Sequence, residues 1–149
     1  MQLSDFSPGF IPCFWVLSQL SIHQGRQRAI LAAAMLDVLR QFGQAYLKTD
    51  RFGTRADELA LLMAVFIGTA ESRPMTAAKI AGYAGVPPPS AVRKLDRLAR
   101  RGVVEKIGRR YLMPASVANS APVLRAANEA QRRLQLAAAP LERGVNADL

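Results

Sequence analysis

The stretch "AGVPPPSAVRKLDRLARRG" (84–102) constrains this chain more than any other. Pro87, Pro88 and Pro89 stand directly before a segment crowded with arginine. Proline presets a backbone angle that suits the first turn of a helix, where its missing N–H has no internal partner to lose. It also turns the preceding residue away from helical geometry, so the spacing predicts a helix that starts at Pro89 or Ser90. At about 100° per residue, Ala91, Val92, Leu95, Leu98 and Ala99 then fall within one arc of about 120°. Arg93, Lys94, Arg97, Arg100 and Arg101 fill an arc of similar width on the opposite side. Asp96 stands at the border, in reach of Arg93 or Arg100. Like charges on neighbouring turns repel, so such a helix needs a core on one side and an anion on the other.

The charge of the whole chain points the same way. Its 149 residues carry a formal net charge of +9. Residues 71–113 hold ten Lys/Arg against three Asp/Glu, whereas 1–70 hold six against five and 114–149 four against three. An excess confined to one block creates a local potential, and a polyanion is the partner that fits it. The other reading of such a block is a solvated basic face.

Half of the residues are hydrophobic, enough for a folded core, and the wealth of alanine and leucine favours helices. A long helix is expected over 22–47, where Leu31, Met35, Val38, Phe42 and Ala45 recur at three and four, broadened by Ile30, Leu39 and Tyr46. A polar connector (48–57) leads to a second helix from about Asp57 to Thr69, apolar nearly all round and so expected to be buried. After Pro74, Thr76 is the expected N-cap of a short helix whose inner face carries Ala77, Ile80, Ala81 and Ala84. Gly85 suits the left-handed residue that closes it. Beyond the basic helix, Val103–Ile107 and Arg110–Met113 read as two strands joined by Gly108-Arg109, a type II′ hairpin turn. Ser120 and Pro122 start a last helix, expected to stop before Pro140, with Val123, Ala127, Ala130, Leu134 and Ala137 forming a helix-helix seam.

This order resembles the winged helix-turn-helix domains of bacterial transcription regulators. The residues that carry the resemblance are "MTAAKIAGYAGVPPPSAVRKLDRLARRGVVEKIGRRYLM", preceded by the helix 57–69. With long helices on either side, the plan is similar to MarR-type regulators, and PadR-type and other small winged-helix regulators share the outline. The expected fold is mainly α with a small β-hairpin wing. Residues 1–56 form an N-terminal segment and long dimerisation helix, 57–114 the DNA-binding domain, and 115–149 a C-terminal dimerisation helix and tail. The wing is shorter than usual for MarR-type proteins, and prolines replace the polar residues that commonly open the recognition helix.

The resemblance implies a homodimer that reads a palindromic site in double-stranded DNA, with the helix from Ser90 in the major groove. Ser90, Arg93, Lys94 and Arg97 are its expected reading face, with Pro89 placed to touch a thymine methyl. Arg100 and Arg101 lie further along and are assigned to phosphate, Arg109 and Arg110 at the hairpin tip to the neighbouring backbone or minor groove. Thr76 and Lys79 are weaker phosphate candidates. MarR-type sensors also hold a small effector between their terminal helices and the DNA-binding lobe. Trp15, Phe42 and Tyr46 are the aromatic side chains available for that, with ordinary core packing as the alternative.

Other functions find less support. One cysteine, Cys13, and one histidine, His23, leave no ligand set for a metal and no Ser-His-Asp triad. No phosphate-binding glycine loop is present, and neither an enzyme nor a cofactor is expected. The N-terminal aromatics Phe6, Phe10, Phe14 and Trp15 keep open a winged helix used as a protein-interaction module. The apolar run Phe10–Leu17 lacks a positive flank and contains Pro12, unlike an export signal. A bacterial cytoplasm is the expected location, without a membrane span.

Overall fold

The structure is a computed structural model and describes residues 22–145. It is mainly helical, with one small antiparallel sheet. Helix α1 (Ile22–Leu47) has the bounds its periodicity predicts. A 3-10 turn (Phe52–Arg55) follows, then α2 (Ala56–Ala70), which carries Asp57 and Glu58 in its first turn, where the helix dipole favours acids. Leu59, Leu61, Leu62, Ala64 and Val65 bury α2 as expected, while Phe66 and Ile67 remain exposed.

Strand β1 (Met75–Thr76) leads into α3 (Ala77–Ala84), whose Ile80 and Ala81 are fully buried. Thr76 occupies the N-cap position with extended backbone, but its hydroxyl makes no capping bond. Gly85 closes α3 at φ 65°, a conformation that a side chain would strain. Helix α4 (Pro88–Arg100) starts one residue earlier than expected, with proline in its first turn. Strands β2 (Glu105–Ile107) and β3 (Arg110–Leu112) form the hairpin. Gly108 has φ 60° and Arg109 a negative φ, as a type II′ turn requires.

The sheet order is β1-β3-β2, and Tyr111 lies opposite both Met75 and Lys106. No pattern in the sequence marks β1, because two residues cannot show a period of two. Its position depends on Gly68: a Cβ there would lie 2.9 Å from both the Arg73 carbonyl oxygen and Met75 Cε. The missing side chain lets the chain return close against α2. Thr69 secures the other end, its Oγ1 accepting the Met113 N–H at 2.9 Å.

A four-residue helix, α5 (Ala115–Ala118), also absent from the sequence expectation, precedes α6 (Ala121–Val145). Pro140 does not end α6, contrary to expectation; the helix continues through it. Gln27 of α1 donates from Nε2 to the Pro140 carbonyl at 3.2 Å, which ties α6 to its neighbour across the proline. The seam differs too. Val123, Ala126, Ala130 and Ala137 are buried, whereas Ala127 and Leu134 are exposed.

Helices α1 and α6 run antiparallel, Gln27 beside Pro140 and Asp37 bound to Arg133 at 3.0 Å. One core joins Leu47, Leu61, Ile80, Leu95, Leu98, Val104, Tyr111 and Met113, and Tyr46 and Val123 belong to it. The last turns of α1 and the first turn of α6 therefore share the core of the segment between them. No helix among the described residues is long and apolar enough to cross a membrane.

Candidate nucleic-acid interface

The inward line of α4 runs through Ala91, Leu95 and Leu98, all fully buried. Val92, at one edge of the expected apolar arc, is exposed instead. The buried side is thus narrower than the expected arc, and its setting decides which cations face outward. Lys94, at one edge of the basic arc, swings toward α2, where its ammonium pairs with Asp57; its side chain is only 18% exposed. Arg97 lies partly on the same flank, its Nη1 3.5 Å from Glu58 Oε1, but remains 51% exposed.

Pro89, Arg93, Arg97, Arg100 and Arg101 are exposed and Ser90 is half-buried. Arg93, Arg97 and Arg100 form an i, i+4, i+7 stripe about 10 Å long at 1.5 Å per residue. The side chains of Arg93, Arg101 and Arg109 have neither a hydrogen-bond nor an ion-pair partner among the described residues. Of the expected reading face, Arg93 and Arg97 lie in that stripe, whereas Lys94 is withdrawn to Asp57 and Ser90 is half-buried.

Asp96 does not pair with Arg93 or Arg100. Its Oδ1 accepts from Lys106 Nζ at 2.9 Å and from the Tyr111 hydroxyl at 2.8 Å. Lys106 also sits over the Tyr111 ring, 5.4 Å from its centroid. This three-way contact ties α4 to the hairpin and fixes the hairpin beside the Arg93–Arg100 stripe. Sequence spacing gives no sign of it, since the partners meet only through the fold. At the hairpin tip Arg109 is free, whereas Arg110 donates from Nη1 to the Pro74 carbonyl at 2.8 Å. Lys79 is exposed on α3, and Thr76 is exposed where β1 meets β3.

The sequence also gives no warning of the acids behind α4. Glu58 is the buried charged side chain of the core, 4% exposed, and accepts from Arg55 Nε at 3.0 Å. The Lys94 hydrogen bond holds the Asp57 carboxyl below its ordinary range, and Lys106 and then Tyr111 do the same for Asp96. A lowered folded-state value means that the unfolded chain takes up protons first as pH falls, so folding loses stability in acid. Both carboxyls are partly exposed to solvent, which limits each pair to about 1 kcal/mol or less. The melting temperature is expected to be flat above about pH 5 and to fall below about pH 4, near the ordinary carboxyl value. A double variant, Asp57→Asn with Asp96→Asn, should show a shallower acid decline. An unchanged decline would remove these two carboxyls as its cause.

The aromatic residues considered for an effector site belong elsewhere. Phe42 and Tyr46 stack at 6.1 Å between ring centroids, with Tyr46 buried in the core and Phe42 packed against it. Burial raises the Tyr46 phenol above its ordinary value. An open cleft of about 480 Å³ between α1 and α6 is lined by other groups, among them Gln41, Gln44, Arg125 and Glu129. Trp15, Cys13 and the remaining N-terminal aromatics lie outside the described residues, and the described ones contain no group of three or more metal-binding side chains. No protein-family model, curated protein or solved structure matches this chain.

Proposed function

We propose that this chain is a sequence-specific DNA-binding regulator that acts as a homodimer, with residues 57–114 as a winged helix-turn-helix. The observation that carries this proposal is the outward stripe of α4, where Arg93, Arg97 and Arg100 project from a helix whose other side is locked in the core. Support comes from the element order, with α2, β1, α3, α4 and the β2-β3 hairpin in sequence and β3 central in the sheet. Helix α4 has the width and the projecting guanidinium groups that a major groove admits, and arginine makes bidentate bonds to guanine O6 and N7. Arg101 and Arg109 supply backbone contacts on either side.

Duplex binding measured against salt tests this assignment. Each phosphate neutralised contributes about 0.9 to the slope of log affinity on log salt, so about four exposed arginines in each of two protomers should give a slope of about −7. Absent or salt-insensitive binding contradicts it.

The dimer rests on a second surface. Leu31, Met35 and Leu39 follow one another at i, i+4 and i+8 on α1 and are exposed, Met35 to 54%. Asp37, bound to Arg133, lies on the far side of the same helix. Leu124 and Leu134 of α6 are exposed as well. Contiguous apolar surface of this kind marks an association site, and two-fold pairing is the commonest closed form. Dimeric helix-turn-helix proteins read half-sites about 34–36 Å apart, the spacing expected of two α4 helices paired in this way. Met35→Glu would place an unpaired charge in that contact and is expected to weaken dimerisation about a hundredfold or more. Sedimentation equilibrium reads the result; an unchanged dimerisation constant would move the interface elsewhere.

A further inference from the structure

Glu58 has two cationic partners of different character. Arg55 is committed: it donates from Nε to Glu58 Oε2 at 3.0 Å and from Nη1 to the Leu47 carbonyl at 3.2 Å, which anchors it to the end of α1. Arg97 is not committed. Its Nη1 stands 3.5 Å from Glu58 Oε1, at the outer limit of a hydrogen bond, and half of its side chain faces solvent. A carboxylate at 4% exposure is screened by salt much less than a surface acid, so its hold on a nearby guanidinium persists in buffer.

We infer that Glu58 is a specificity-determining, positioning residue that acts through Arg97, holding its guanidinium back from phosphate until a matched base edge competes for it. The inference rests on the DNA-binding function proposed above. Random duplex offers Arg97 phosphate oxygens, which exposed arginines can bind anywhere along the backbone. A guanine at the right step offers two acceptors in the geometry of the guanidinium fork, held at a fixed position in front of a helix seated in the groove, which scattered phosphate oxygens do not match. Arg97 then contributes to the matched complex and little to the random one. Specificity is a difference of affinities, and a buried acid that weakens random binding increases that difference. Asp57 has the same relation to Lys94, but Lys94 is closely paired and mostly covered, so it stays withdrawn in both complexes.

The test measures the salt slope on a random duplex and the affinity for a selected duplex, using the full chain. Arg97→Ala is expected to leave the random-duplex slope unchanged and to weaken binding to the selected duplex about tenfold. Glu58→Gln is expected to steepen the random-duplex slope by about 0.9 for each bound protomer, one added phosphate contact in each, and Arg97→Ala in that background to cancel the gain. A loss of about 0.9 in slope for each bound protomer from Arg97→Ala alone overturns the inference, as does an unchanged slope in folded Glu58→Gln. Should Glu58→Gln not fold, the comparison of wild type with Arg97→Ala decides by itself. Arg109→Ala serves as the control for DNA binding. If it lowers the random-duplex slope while the Arg97 variants behave otherwise than expected, only the role of Glu58 is lost. If the unaltered chain binds no duplex, the DNA-binding function fails and this inference with it.

Discussion

Arg93→Ala is expected to weaken binding to the preferred duplex by roughly tenfold to a hundredfold, the range of one good arginine-guanine contact. Its effect on a random duplex should be smaller. Arg93 is exposed and without a protein partner, in the first two turns of a helix whose buried side is fixed by Ala91 and Leu95. Early positions of a recognition helix approach base edges, so removal of this guanidinium costs sequence discrimination above all. Arg109, at the turn of the hairpin, should behave differently. Its replacement removes a backbone contact and is expected to weaken preferred and random duplexes by the same factor. Equal losses for both variants on both duplexes would erase the distinction between reading and anchoring. Nothing in the protein holds either side chain, so neither change should lower the melting temperature.

Leu95→Ala is expected to be the costliest change within α4. Leu95 is fully buried and lies in the same core as Leu98, Ile80 and Tyr111, between helix and sheet. Truncation of a buried leucine removes transfer energy and leaves a cavity, together worth about 2–5 kcal/mol. For a chain of this size each kcal/mol lowers the melting temperature by about 2–4 °C. The same cavity loosens the seat of α4, so affinity for DNA should fall more than the folded fraction accounts for. Thermal melting and duplex binding on the same preparation check both effects. Intact stability in Leu95→Ala would mean that this face of α4 is not the one that packs.

Much of the fold is legible in the sequence where a pattern is long or a residue is conformationally singular. The bounds of α1, the inner face of α3 and the left-handed Gly85 follow from period and from glycine. The basic face of α4 follows from its arginines, but its setting does not. Packing against α2 turns the helix so that Lys94 meets Asp57 and Val92 faces out, and no periodicity within α4 encodes its neighbour. The Asp96–Lys106–Tyr111 contact is likewise a product of tertiary placement. Pro140 carries a strong local stop signal, yet packing along α1 overrides it. Strand β1 depends on the space left by Gly68, which a single sequence does not distinguish from any other glycine.

The charge sorting of α4 gives the account its consequence for function. A helix with two basic flanks would bind any polyanion. Here Lys94 on one flank is neutralised from behind by Asp57, and the stripe of Arg93, Arg97 and Arg100 is left exposed, with Arg97 at its edge beside Glu58. A single ordered stripe beside a fixed hairpin suits a grooved duplex better than a flexible anionic chain.

Selection of bound duplexes from a random pool, at low and at moderate salt, tests the central claim most directly. One two-fold symmetric site should be recovered, with guanine in each half and half-sites about one helical turn apart. Recovery of no duplex above background at low salt, or of duplexes without any shared sequence, would contradict it.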